Sequence, residues 1–311
     1  MASGSGPIDA YGSGWKQQTG GDLDAVRRAA DTQCVLGEGP LWDAAADRLY
    51  WFDIKGRRLH WLDGGQGLVQ TRRLDVQVSA AAVRRSGGLL VASERGLEIL
   101  DPDSGALELL EPLEADLEGY RSNDGKIDVH GAFWWSVMDD DGGRRPGRIY
   151  RKAPGAPSRR VLDGIHIPNT ISCSPDGSTL YLADSVLGRL FAHPLGPDGE
   201  LGQKQLVADT SDGPGAPDGS AVDEDGFLWN AQWGAGRVVR YAPDGRIDRV
   251  LQMPVSQPSS CAFGGSDLST LYVTSAREGL SEAALAKEPL AGSLLAIDTG
   301  VRGLRLPVFE E

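Results

Sequence analysis

The sequence is poor in the residues that disulfide frameworks and zinc centres require. Its 311 residues include only 3 cysteines, far apart at Cys34, Cys173 and Cys261. An odd number of thiols without a C-x-x-C pair excludes a disulfide framework, so reduced and buried cysteines are expected. The 4 histidines form no spaced ligand pair, which argues against a histidine-rich zinc site.

Positive charge and long apolar runs are also missing. The formal net charge of −13 would repel phosphate backbones and anionic membrane surfaces, so neither nucleic acid nor a membrane is an expected partner. No apolar run approaches the length of a membrane span, and the N-terminus lacks the basic start and apolar core of a secretory signal. We expect a soluble, cytoplasmic protein, with residues 1–20 as a flexible tail and residues 21–311 as one domain.

What the chain has in abundance is turn-forming residues and a repeat. It contains 42 glycines and 18 prolines, and no segment shows sustained helical periodicity. Six short apolar or aromatic runs recur every 40 to 48 residues, starting at Leu49, Leu89, Phe133, Leu180, Leu228 and Leu271. This period is typical of four-stranded propeller blades, so the sequence predicts an all-β fold, a six-bladed β-propeller. A pair of β-sandwiches is the alternative, but it would not be expected to give six similar runs in one register.

Polar residues share one phase of this repeat. Glu38, Asn123, Asn169 and Asp218 each lie 10 or 11 positions before a run. Equivalent positions of successive blades surround the central axis, so these side chains should converge at one mouth of the channel. Oxygen ligands without thiolate or imidazole are typical of sites for divalent calcium, magnesium or manganese. Asp218 and Asn169 could merely cap turns, and Glu38 could be an exposed hairpin charge, but the shared phase favours a site. Asp223 falls in the next turn and is expected to be exposed.

Glu38 and Arg121 strengthen the site hypothesis. Glu38 lies between two glycines and among apolar residues, where a carboxylate is costly to bury without a cation. Arg121 precedes Asn123 by two residues, on the same face of an extended strand, where its guanidinium would hold hydroxyls or a carboxyl group of a polar ligand. An ion pair with Glu118 or Asp124 is the alternative for Arg121.

Three separated segments resemble the senescence marker protein/regucalcin/gluconolactonase family, and residues 274–281 look particularly like its bacterial sugar lactonases. The first is Leu-Gly-Glu-Gly-Pro-Leu-Trp at residues 36–42, and the second is Arg-Ser-Asn-Asp-Gly-Lys-Ile-Asp at residues 121–128. The third is Pro-Asp-Gly at residues 217–219 together with residues 234–240. Their order and separation make the resemblance specific.

The resemblance implies hydrolysis of a small-molecule sugar lactone, such as a glucono-, xylono- or arabinonolactone, to the aldonic acid. One divalent metal ion (calcium, magnesium, manganese, zinc or iron) would act as Lewis acid. The implied metal ligands are Glu38, Asn169 and Asp218, and the implied substrate contacts are Arg121, Asn123 and, as a weak match, Asp141. Asp218 would also be the general base, or would hold a metal-bound water.

One position departs from the family pattern, because Thr170 stands where a glycine commonly follows the ligand asparagine. Two other readings stay open for the chain as a whole. One is a non-catalytic calcium-binding propeller, and the other is a hydrolase of other esters or phosphoesters.

Overall fold

The computed structural model describes residues 26–64 and 67–311, so the tail expected over residues 1–20 lies outside the described part. In chain order the strands are β1 (Val26–Ala30), β2 (Gly37–Asp43), β3 (Arg48–Asp53), β4 (Arg58–Asp63), β5 (Gln70–Arg73), β6 (Val78–Val83), β7 (Leu89–Ser93), β8 (Gly96–Leu100), β9 (Leu107–Pro112), β10 (Tyr120–Ile127), β11 (Phe133–Asp139), β12 (Gly147–Lys152), β13 (Arg159–Ile165), β14 (Pro168–Cys173), β15 (Thr179–Asp184), β16 (Arg189–Pro194), β17 (Gln205–Asp209), β18 (Ala216–Val222), β19 (Leu228–Trp233), β20 (Arg237–Tyr241), β21 (Ile247–Gln252), β22 (Pro258–Gly264), β23 (Thr270–Ser275) and β24 (Leu294–Asp298). One short helix, α1 (Glu282–Leu285), lies between β23 and β24. No helix of the described residues is long and apolar enough to cross a membrane.

The strands form six antiparallel sheets of four strands each. Five sheets use consecutive strands, beginning at β2, β6, β10, β14 and β18, and these are blades 1 to 5. Blade 6 contains β22, β23 and β24 and is completed by β1, which pairs with β24 and so closes the ring. Each of the six predicted runs is the second strand of its blade. The prediction of an all-β, six-bladed propeller is confirmed.

Apolar side chains fill the spaces between neighbouring blades. Tyr50 and Phe52 of blade 1 pack with Val91 of blade 2, for example, in one buried cluster. The rings of Trp229 in blade 5 and Phe263 in blade 6 meet edge to face, with centroids 6.0 Å apart. The three cysteines are buried and unpaired, as expected. Burial of apolar area on this scale is the main force that holds the blades together.

The first strand of each blade, called here the inner strand, has an irregular pairing register at the repeat position of the predicted site. In β2 the pairing register shifts between Glu38 and Leu41, and in β18 it shifts between Pro217 and Ser220. The other four inner strands, β6, β10, β14 and β22, shift at the corresponding place. A bulge leaves residues out of the ladder and redirects their side chains. These shifts explain how polar residues at this phase come to line a channel between apolar blades.

The exposure expected for Asp223 is wrong. Asp223 does lie in the turn between β18 and β19, but its side chain is completely buried. Its carboxylate accepts hydrogen bonds from Trp229 Nε1 at 2.9 Å and from Arg240 Nη2 at 2.6 Å. Asp223 is covered because residues that follow β24 pack on the start of this turn, where Gly303 bridges to Asp223 itself.

Candidate active site

The amino-terminal ends of the inner strands surround a cavity of about 360 Å³. The predicted site residues that line it are Glu38, Arg121, Asn123, Asn169 and Asp218. The carboxyl ends of the same strands border a second cavity of about 400 Å³, which is mostly apolar and is also lined by residues 304–308. None of the predicted site residues lines this second cavity. The predicted site residues that line a cavity therefore lie at one end of the channel.

Asp141 lies outside the cavity. Its side chain is 71% exposed and pairs with Arg144 in the loop after β11. Its neighbour Asp140 lines the cavity instead. The loop structure therefore favours Asp140 over Asp141 as the acidic contact at this place.

Glu38 and Asp218 bring two buried carboxylates into the cavity. Glu38 Oε2 accepts the amide of Gly39 at 3.2 Å. Burial, followed by the charge of Asp218, raises the pKa of Glu38 well above its ordinary value. Burial, followed by the charge of Asp124, does the same to the pKa of Asp218. Two buried carboxylates held by so few donors form a set that a divalent cation would neutralise.

Asn169 is oriented by a relay of hydrogen bonds. Its Nδ2 donates to Ser185 Oγ at 2.8 Å, and that hydroxyl donates to the carbonyl of Pro217 at 2.6 Å. The serine oxygen must therefore accept from the amide N–H, which fixes the position of Asn169 Oδ1. Asn123 Nδ2 donates to this oxygen at 2.9 Å. An amide oxygen has two lone pairs, so one remains for a cation.

Arg121 makes a different ion pair from the one considered for it. Its Nε donates to Asp140 Oδ1 at 2.8 Å, and its Nη1 donates to Asn123 Oδ1 at 2.8 Å. Lys55, from the turn between β3 and β4, reaches across the mouth to the same oxygen of Asp140. The sequence did not indicate a role for Lys55 or Asp140. A single lysine in a turn forms no recognisable motif, and nothing distinguishes Asp140 from the aspartates on either side of it.

Two residues of opposite charge in β10, Asp124 and Lys126, line the second cavity. Asp124 Oδ2 accepts the amide of Ile171 at 2.9 Å, and the ammonium of Lys126 donates to the carbonyl of Ser220. Burial raises the pKa of Asp124 and lowers the pKa of Lys126, while the opposite charge of each partner counteracts both shifts. Lys126 thus compensates a third carboxylate close to Glu38 and Asp218. Sequence analysis treated Asp124 only as a partner for Arg121.

A second group with metal-binding side chains lies in blade 1. Ligand atoms of Cys34, Asp53 and His60 lie within 4.8 Å of one another, and all three residues are buried. Asp53 Oδ1 already accepts the amides of Leu36 at 3.1 Å and Gly56 at 2.9 Å. Burial raises the pKa of Cys34 to about 12, which keeps the thiol protonated. None of the three lines the cavity. These contacts favour a structural role in the turn of blade 1.

Metal removal is expected to destabilise the protein most at neutral and alkaline pH. With the pKa values of Glu38 and Asp218 raised, the metal-free folded protein binds more protons than the unfolded chain above the ordinary carboxyl range. This contribution to stability is present at low pH and is lost as pH rises through the raised values. A bound divalent ion compensates the ionised carboxylates, and at 100 times its Kd it adds about 2.7 kcal/mol.

The measurement is thermal unfolding of chelator-treated and metal-reloaded protein from pH 5 to pH 8. The gap in Tm between the two forms should widen as pH rises, whereas groups remote from the site affect both forms equally. The same Tm for both forms at pH 8 would contradict a metal held by these carboxylates.

The chain is similar in sequence to known proteins over most of its length. A family model described as the SMP-30/Gluconolactonase/LRE-like region matches residues 36–277. The chain is 41% identical over 287 residues to an L-arabinolactonase of Azospirillum brasilense, covering 90% of this chain and 94% of that protein. It is 37% identical over 276 residues to a 6-deoxy-6-sulfogluconolactonase of Pseudomonas putida, covering 88% and 95%.

A solved structure with a similar fold is that of a calcium-binding protein, regucalcin, from Agrobacterium tumefaciens. The TM-score is 0.86 at 36% sequence identity, over 92% of this chain and 97% of that one. The similarity extends over nearly the whole described propeller, including the strands that carry the cavity residues.

Proposed function

The chain belongs to the SMP-30/gluconolactonase/LRE-like family, and we propose that it is a metal-dependent lactonase that opens aldonolactones to aldonic acids. The observation that carries the proposal is the convergence of Glu38, Asn169 and Asp218 in one cavity whose wall also holds Arg121. The names of two relatives, an arabinolactonase and a sulfogluconolactonase, support lactone hydrolysis.

The cavity suits one polyhydroxylated ring. Its volume of about 360 Å³ is near the lower end of the range for ligand pockets, which favours a single sugar unit. Lys55 and Arg121 both contact Oδ1 of Asp140, and its Oδ2 is left to accept a substrate hydroxyl. The guanidinium of Arg121 offers donors at the same wall. These groups would orient the lactone, and pocket shape would select among sugars.

The residues that would hold the metal are Glu38, Asn169 and Asp218, whose two buried carboxylates and oriented amide oxygen match the ligands of hard divalent ions. When bound, the ion supplies a Lewis acid that polarises the lactone carbonyl and stabilises the developing oxyanion. In hydrolysis the water oxygen bonds to the carbonyl carbon and the ring C–O bond breaks. Asp218 would accept a proton from the attacking water and return it to the ring oxygen, which leaves as a hydroxyl group while the carbonyl carbon becomes the carboxyl group of the acid.

The test is acid release from a panel of five- and six-carbon aldonolactones by metal-free protein, before and after each of calcium, magnesium, manganese, zinc and iron is added. We expect metal-dependent acceleration over spontaneous opening on at least one lactone, with a simple aryl ester and a phosphate monoester as controls for other hydrolase activity.

Two outcomes would count against the proposal. Tight calcium binding without turnover of any lactone would favour a non-catalytic calcium-binding propeller. Activity restored by none of these ions but by a soft ion such as Cd²⁺, added as a further arm, would contradict the oxygen ligand set.

A further inference from the structure

Thr170 has a backbone conformation that disfavours its side chain. Its φ is +62°, in the left-handed region, and the residue is completely buried. A β-branched residue is a genuine outlier there, with a cost of about 1–3 kcal/mol. In blade 1 the residue after Glu38 occupies the corresponding bulge and is Gly39, with φ of +57°. The fold therefore accommodates glycine at this position, and another interaction must offset the conformational cost of threonine.

The hydroxyl of Thr170 supplies that compensation through three hydrogen bonds. Oγ1 donates to the carbonyl of Asp218 at 2.6 Å. It also accepts from Asn230 Nδ2 at 3.1 Å and from Ser220 Oγ at 3.3 Å. Asn230 Nδ2 lies 3.0 Å from the same Asp218 carbonyl, so the two side chains hold one peptide group together.

These bonds join the two segments that carry two of the proposed metal ligands. Thr170 follows Asn169 directly in β14, and the carbonyl that it holds belongs to Asp218 in β18. The amide of the next residue, Ile171, is held from the other side by Asp124. The backbones of the two ligand segments are thus fixed relative to each other, and the relay through Ser185 orients the side chain of Asn169.

We propose that Thr170 is a positioning residue that sets the spacing between Asn169 and Asp218 and thereby the affinity of the site for its divalent ion. The inference rests on the metal site of the proposed function. Groups that orient metal ligands without touching the metal typically change metal affinity by about 10- to 100-fold when they are removed. The hydroxyl of Thr170 acts on Asp218 through the main chain in this way.

The experiment measures Mn²⁺ binding by chelator-treated protein, with the electron paramagnetic resonance signal of free Mn²⁺ as the readout and no substrate present. Thr170→Val should weaken Mn²⁺ binding by about 10- to 100-fold, because it keeps the branched shape but loses the hydroxyl. Thr170→Gly should weaken it similarly while it relieves the backbone strain. Thr170→Ser should keep the affinity of the unaltered protein, because the hydroxyl is retained.

The controls separate a positioning role from a structural one. Thr299→Val removes another buried threonine hydroxyl, one that donates to the carbonyl of Val301 at 3.4 Å after β24 and away from the cavity, and should leave Mn²⁺ affinity unchanged. If Thr170→Val changed only the Tm and not Mn²⁺ affinity, the proposal would be overturned. If the valine variant failed to fold, the glycine variant would decide, since its backbone is unstrained.

Failure of the metal site itself gives a different result. Asp218→Asn should weaken Mn²⁺ binding if the measured site is the proposed one. Absence of Mn²⁺ binding by the unaltered protein would contradict the metal site and this inference together, whereas equal binding by all Thr170 variants would contradict the inference alone.

Discussion

Replacing Asp218 with asparagine is expected to lower kcat on the preferred lactone by at least about 10²-fold, the typical loss when a general base is removed. The substitution removes a charged ligand and the proton acceptor in one step. It leaves the backbone carbonyl of residue 218 available to Thr170 and Asn230, so the fold around it is retained. Initial rates of acid release, measured with saturating lactone and metal, give the comparison.

Asp212→Asn is the matched control for this variant. Asp212 lies six residues earlier, before the same strand, and is exposed. It undergoes the same chemical change, yet it should retain the activity of the unaltered protein. Circular dichroism should show both variants folded. A fully active Asp218 variant, or an inactive Asp212 variant, would contradict the position of the site at the starts of the inner strands.

The repeat made it possible to predict the fold and the position of the proposed metal ligands within their blades. Each blade presents one short apolar run with its own turn signals, so a period of 40 to 48 residues is visible without any long-range information. Ring closure then brings equal phases together, which is why Glu38 and Asp218 could be placed in one cavity although 180 positions separate them. Neither step required knowledge of a specific side-chain contact.

Contacts across the ring could not be predicted in the same way. Lys55 and Asp140 belong to blades 1 and 3, and their contact depends on how far a lysine reaches over the mouth. The choice between Asp140 and Asp141 depends on a loop in which one residue faces the cavity and the next faces solvent. The left-handed backbone of Thr170 was equally hidden, because threonine seldom adopts it.

The burial of Asp223 could not be predicted from the sequence either. Replacing Asp223 is expected to have the largest effect on stability. Its carboxylate accepts two amides, the indole N–H of Trp229 and the guanidinium of Arg240, which is itself buried. Removing one partner of a buried ion pair typically costs about 3–5 kcal/mol, and here the indole N–H and two amides would lose their acceptor as well. Asp223→Ala should therefore lower the urea midpoint of unfolding strongly.

Two residues near Arg240 determine how the loss of stability in Asp223→Ala should be measured. Arg240 keeps a second partner in Asp248 at 2.7 Å, so the folded state should remain accessible at low urea concentration. Asp225→Asn is the control, because its side chain is 65% exposed and 3.8 Å from Arg240, and its effect should stay within about 0.5 kcal/mol. The Asp223 variant should still hydrolyse lactone while it is folded, since Asp223 does not line the cavity. Equal urea midpoints for the two variants would show that the carboxylate of Asp223 contributes no more to stability than an exposed one.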